Sequence, residues 1–94
     1  KTIKFDILKH TSSSYFRIEV KDLPGVLSSI TKIFTKNKIS IKNLLQNPDK
    51  KNKKATIIII TYESLEKNYN NLFSNLTKNK FVLKKPTFIR IEKV

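Results

Sequence analysis

The sequence predicts an α+β domain in the order strand, helix, strand, strand, helix, strand. Three observations predict it. Apolar residues alternate at period two over residues 15–21 and fill residues 55–62. They recur at helical spacing after Pro24-Gly25 and again after Ser64. Turn-forming residues separate the blocks. The right-handedness of crossover connections then puts both helices on one face of a four-stranded antiparallel sheet. This is the split-βαβ, or ferredoxin-like, order, with the first and third strands central and the second and fourth at the edges.

The first ten residues carry Ile3, Phe5 and Ile7 in alternation, a short strand. Thr11-Ser12-Ser13-Ser14 reads as a linker. The expected division is therefore 1–14 as strand and linker from a preceding domain, and 15–94 as the domain proper. Phe16, Ile18 and Val20 point to one side of the next strand; Arg17, Glu19 and Lys21 point to the other. Asp22-Leu23-Pro24-Gly25 ends it. Pro24 suits the first turn of a helix, and Asp22 can cap that turn. Val26, Leu27, Ile30, Ile33 and Phe34 form the helix's apolar stripe. Lys36-Asn37-Lys38 closes it, with Asn37 expected as a left-handed cap.

Ile39, Ile41 and Leu45 mark the second strand, and Asn47-Pro48-Asp49 a turn. Residues 55–62 contain four consecutive isoleucines, so both faces of this strand should be covered. Ser64 can cap the second helix, whose stripe is Leu65, Tyr69, Leu72, Phe73 and Leu76. Lys78-Asn79-Lys80 should end it as the first helix ends. Residues 81–94 form a last strand that Pro86 breaks, so an edge strand with a bulge or bend.

Composition excludes several functions. With no cysteine there is no disulfide scaffold, thiolate zinc site or cysteine nucleophile. The longest aliphatic run is far short of the ~20 residues that span a bilayer, so no membrane is expected. A start at Lys1 is read as that of a fragment of a longer, cytoplasmic polypeptide. The net charge of +13 raises nucleic acid as a partner. Yet of 20 basic residues only Arg17 and Arg90 are arginines, the usual readers of phosphate forks. An RNA-binding sheet of this topology also needs stacking aromatics on its central strands, and residues 55–62 lack the glycine and the central aromatics of that motif. A solvated lysine surface is the better reading.

No catalytic set is present. His10 is the one histidine, the seven carboxylates are dispersed, and a single glycine excludes a phosphate-binding loop. That glycine, Gly25, stands where a strand feeds a helix. There the unpaired N–H groups of a helix start can receive a carboxylate, and a missing Cβ lets a ligand approach. On these residues alone, a tight strand-to-helix turn at Pro24-Gly25 is the preferred explanation.

Asp22-Leu23-Pro24-Gly25-Val26-Leu27, with Phe34 and then Lys38-Ile39-Ser40-Ile41, resembles the signature of ACT domains. Lys38 stands where many members have glycine. The segments Ile39-Ser40-Ile41-Lys42-Asn43-Leu44-Leu45-Gln46 and Pro86-Thr87-Phe88-Ile89-Arg90-Ile91-Glu92 resemble the C-terminal ACT domain of the homoserine dehydrogenase family. The resemblance implies a regulatory domain that binds a small amino acid, with threonine favoured, and forms a homodimer. It implies a missing catalytic domain that uses NAD(P), with no cofactor in this segment. The ligand-binding positions it implies are Asp22, Leu23, Pro24, Gly25 and Val26 in the loop, with Ser40 and Asn43 on the strand. An ACT domain of another amino-acid enzyme, and a ligand-free dimerisation module, are the alternatives.

Overall fold

A computed structural model describes residues 11–91. The strand expected over residues 1–10, with His10, lies outside the described residues. The elements are β1 (Thr11–Lys21), α1 (Val26–Lys36), β2 (Ile41–Asp49), β3 (Lys54–Thr61), β4 (Ser64–Leu65), α2 (Glu66–Lys78) and β5 (Thr87–Ile91). β3 pairs antiparallel with β1 on one side and with β2 on the other, while β5 pairs antiparallel with β1. β1 and β3 are thus central, and β2 and β5 are outer strands. A fifth strand, the two-residue β4, joins the four expected; it pairs with the start of β1.

One face of the sheet and the two helix stripes form the core. Phe16, Ile18 and Val20 from β1 and Ile57 and Ile59 from β3 are fully buried. They meet Ile30 and Phe34 of α1 and Tyr69, Leu72 and Leu76 of α2. Phe16 lies at the centre. Its ring stacks on Phe88 of β5 at 4.7 Å and meets the Phe34 ring edge-on at 5.2 Å. Offset and edge-to-face pairs of this kind add about 0.5–1.5 kcal/mol each beyond area burial.

Several local expectations are corrected. Thr11-Ser12-Ser13-Ser14 is not a linker but the opening of β1, with Ser14 fully buried. Three polar contacts hold it there. Tyr69 Oη donates to the Ser12 carbonyl at 2.7 Å. Tyr69 Oη also lies 2.6 Å from Thr61 Oγ1, which accepts the Ser14 N–H at 3.0 Å. Small side chains leave room for the tyrosine ring, which is why a serine run can be strand here.

Asp22 does not cap α1, and Pro24 is not in its first turn. Gly25 is the N-cap residue, and no side chain caps the helix. Asn37 is not left-handed (φ −94°); Lys38 is, at φ 61°. Asn37 instead donates its side-chain amide to the Ile33 carbonyl at 2.8 Å. The Ile39 N–H reaches back to the Phe34 carbonyl at 3.0 Å, so Lys38 sits where a glycine closes many helices.

Ser64 does not cap α2, whose N-cap is Leu65. Ser64 lies in β4, and its hydroxyl donates to the Lys38 carbonyl at 3.4 Å. α2 ends differently from α1: Asn79 is extended, and its Oδ1 accepts the Phe81 N–H at 2.8 Å. Asn47, Pro48 and Asp49 belong to β2, opposite Thr56, Ala55 and Lys54. The turn lies at residues 50–53, where Asp49 accepts the Asn52 side-chain amide at 2.9 Å. That bond, first among several causes, holds the Asp49 carboxyl below its ordinary pKa.

The interrupted last strand is observed. Val20 bridges Val82, and the ladder resumes at Thr87 opposite Arg17, with two residues more on the edge strand than a regular register needs. Pro86 lies in that insertion. The covered-face expectation for β3 holds on one side only. Ile57 and Ile59 are buried, whereas Ile58 and Ile60 are half-exposed on the face opposite the helices.

Two stability changes follow. A lysine in the left-handed region costs about 1–2 kcal/mol. Glycine's chain entropy offsets part of that relief, about 0.5–1 kcal/mol. Lys38→Gly should therefore raise stability by up to about 1 kcal/mol in a urea titration. Tyr69→Phe should lower it by about 1–3 kcal/mol, since buried acceptors on Ser12 and Thr61 lose their partner.

Candidate functional site

The segment between β1 and α1 is a turn built from its sequence. The Val26 N–H donates to the Leu23 carbonyl at 3.2 Å, closing a four-residue turn. Gly25 has φ 84° and ψ −5°, the third-residue geometry of a type II turn, with proline before it as that turn favours. A Cβ on Gly25 would meet nothing within 4 Å. Glycine is thus needed here for its positive φ, and the space beside it is open. The turn is tied to the β2–β3 hairpin by the Asp22 N–H, which donates to the Lys53 carbonyl at 3.0 Å.

Asp22, Leu23, Pro24 and Gly25 are exposed, so a ligand can reach the Asp22, Leu23 and Pro24 side chains, although the Asp22 N–H and the Leu23 and Gly25 carbonyls are already hydrogen-bonded. Val26 is the exception. Its side chain is buried in the core, so only its main chain can take part. The Asp22 carboxylate is free of the capping duty expected of it. A concavity of about 450 Å³ begins at Gly25 and runs along α1 past Ser28, Ser29, Lys32, Ile33 and Lys36. With an uncapped helix start at one end and Lys32 on its wall, it suits an anionic group. Sequence reasoning missed Lys32. The signal was present, because a residue seven places after Gly25 returns to the same side of a helix.

Ser40 and Asn43 are also exposed, but they lie elsewhere. The Tyr62 N–H donates to the Ser40 carbonyl, and Ile41 pairs with Thr61, at the far end of β3. The turn at residues 22–25 sits at the near end, beside Lys53 and Lys54. The eight residues of β3 separate the two groups, roughly 25 Å at about 3.3 Å per residue. Within one chain, therefore, the expected loop and strand positions are not brought together. Ser40 adjoins its own concavity of about 470 Å³ with Thr35, Lys38, Ile39 and Ile41.

The strand that carries Ser40's neighbours is unusual. From Lys42 to Asp49 every residue of β2 is exposed. Leu44 faces the helix side and Leu45 the opposite side, 37% and 60% exposed. The outer edge of β2 is unpaired among the described residues. A nine-residue edge strand bare on both faces is a template for pairing with another strand. No group of three or more histidine or acidic side chains that could hold a metal occurs among the described residues. No described helix is long and apolar enough to cross a membrane. Phe16 is in the core and β3 turns Ile58 and Ile60 outward, so the central strands carry no stacking pair for RNA.

The fold is an antiparallel sheet backed on one face by two helices, the split-βαβ order with a short extra strand. The ACT domain family model matches residues 14–78, and the chain belongs to that family. It is 37% identical over 78 residues to homoserine dehydrogenase of Helicobacter pylori, covering 83% of this chain and 18% of that protein. The Neisseria gonorrhoeae homoserine dehydrogenase is 33% identical over 82 residues, 87% of this chain and 19% of that one. Among solved structures, a homoserine dehydrogenase from Thiobacillus denitrificans superposes with a TM-score of 0.78 at 30% identity, over 92% of this chain and 19% of its own. The chain thus spans about a fifth of the length of these relatives.

Because Gly25 answers to backbone geometry and not to crowding, Gly25→Ala should cost about 1–2 kcal/mol of stability through left-handed strain. It should leave the fold otherwise intact. Urea denaturation beside circular dichroism of the variant checks both halves.

Proposed function

We propose that this chain is the amino-acid-sensing domain of a homoserine dehydrogenase, with threonine as its effector. The observation that carries the reading is the likeness to homoserine dehydrogenases, which runs over more than four-fifths of this chain. The catalytic part, with NAD(P), lies in the remainder of the longer enzyme. There it reduces aspartate semialdehyde to homoserine in the cytoplasm, and this domain adjusts that activity.

The working unit is a homodimer joined along β2. Two antiparallel copies of β2 set the start of one strand beside the end of the other. Ser40 and Asn43 of the partner subunit then arrive at the same end of the joined sheet as residues 22–25. That arrangement unites the two groups that one chain holds apart. The first-turn N–H groups of α1 beyond that of Val26, with Lys32 nearby, receive the effector's carboxylate. Asp22 pairs with its ammonium, while the partner's Ser40 or Asn43 bonds a side-chain hydroxyl. Leu23 and Pro24 shape the turn and shield the ligand's carbon skeleton.

A thermal-shift titration with free amino acids tests this. A ligand that binds only the native state raises the melting temperature by mass action. Threonine should give a saturable rise of several degrees. Asp22→Ala and Ser40→Ala should each weaken it about tenfold or more. No shift with any amino acid at millimolar concentration would replace the sensor with a ligand-free dimerisation module.

A further inference from the structure

Residues 11–14 carry no apolar side chain, yet they open β1. Tyr15 pairs with Ile60 of β3, but Ser12 pairs with Ser64 of β4. Ser13 and Ser14 of β1 thus stand opposite one residue more than a regular ladder needs, residues 61–63. An extra residue on one strand is a bulge, and bulges concentrate where a strand is re-aimed or a site is built.

At this bulge side chains replace the main-chain ladder. The Ser14 N–H donates to Thr61 Oγ1 at 3.0 Å. Tyr69 Oη donates to the Ser12 carbonyl at 2.7 Å and lies 2.6 Å from Thr61 Oγ1. With the tyrosine proton on Ser12, the Thr61 hydroxyl donates to Tyr69. Both residues are fully buried. The Ser14 hydroxyl is buried too, with no hydrogen-bond partner among the described residues. A buried unsatisfied hydroxyl works against the arrangement that holds it. Apolar burial, which fixes register along the rest of β1, does not fix it over residues 11–14. The Thr61–Tyr69 pair is the buried contact that selects it.

The same corner holds the start of β2 from its other side. Ile41 pairs with Thr61. The Tyr62 N–H donates to the Ser40 carbonyl at 2.9 Å, and the Ser64 hydroxyl to the Lys38 carbonyl at 3.4 Å. Residues 61–64 are therefore shared between the strand that carries Ser40 and the start of β1.

We propose that residues 61–64 form a relay, with Thr61 and Tyr69 as its positioning residues, that carries effector occupancy at Ser40 to residues 11–14. The relay has two registers. One is the bulged register described above. The other continues the Tyr15–Ile60 ladder, with Ser14 opposite Thr61 and Ser12 opposite Glu63. Passing between them moves the upstream end of β1 by one residue, about 3.3 Å, relative to α2. Ser40, tied through Tyr62, is aimed differently in the two, which supplies the differential affinity that a ligand needs to shift them. This relay rests on the effector reading above and gives occupancy a way out of the domain.

Two measurements with threonine as the probe test it. In amide hydrogen exchange on this chain, saturating threonine should change the rate at Ser14 by about tenfold or more and leave Ile18, in the regular part of β1, unmoved. On the full-length enzyme, Thr61→Val and Tyr69→Phe should keep the threonine-induced melting shift and lose about tenfold or more of threonine's effect on dehydrogenase activity. Thr61→Ser, which keeps the hydroxyl, should retain that effect. Circular dichroism verifies folding, and the two Thr61 variants carry the test if Tyr69→Phe unfolds. Variants that bind threonine and still respond like the unaltered enzyme would overturn the relay alone. So would an unmoved Ser14 amide in a chain whose melting temperature threonine raises. No melting shift in the unaltered chain would overturn the effector reading and the relay with it.

Discussion

The packing of this domain turns on Phe16. Its ring is on the middle strand, so it can reach every other layer at once. It stacks on Phe88 of β5, meets Phe34 of α1 edge-on and lies 6.2 Å from Tyr69 of α2. Phe88 in turn contacts Tyr69 and Phe73. One ring therefore sets the height of both helices above the sheet and holds β5 against β1. This matters for a strand as interrupted as β5, whose ladder is broken around Pro86. The aromatic stack supplies the continuity that its backbone hydrogen bonds lack.

Two residues with positive φ then place the ends of α1. Gly25 turns the chain out of β1 into the helix, and Lys38 turns it from the helix toward β2. The first is open to solvent and leaves a helix start without a side-chain cap. The second brings Ile39 into the core and leaves Ser40 at the surface. The candidate ligand contacts are thus by-products of how one helix is entered and left. Since the helix runs the length of the sheet, they fall at opposite ends of it.

The same geometry links fold to assembly. A helix pair can cover only part of a four-stranded sheet, and β2 is the strand left bare. Its exposure on both faces would be a liability in a protein that worked alone. In the edge-joined dimer proposed above, it would be the means by which the two halves of the proposed binding site meet.

The element order, the two helix stripes and the strand alternation were legible in the sequence because period-two and period-3.6 burial are local patterns. So was the turn at Pro24-Gly25, since proline followed by glycine specifies its torsions. The caps were not legible. Asp22, Ser64 and Asn37 have side chains that suit a cap, but whether a side chain bends back to the helix depends on what else its backbone is tied to. The Asp22 main chain is held by Lys53, and Ser64 is drawn into β4. Nor could the sequence show that serines 12–14 are strand, because their partners Thr61 and Tyr69 lie about fifty residues away. The positions that the family resemblance implies for a ligand were readable as residue types. That one chain separates them by the length of a strand is a fact of register and helix direction, which only the folded sheet decides.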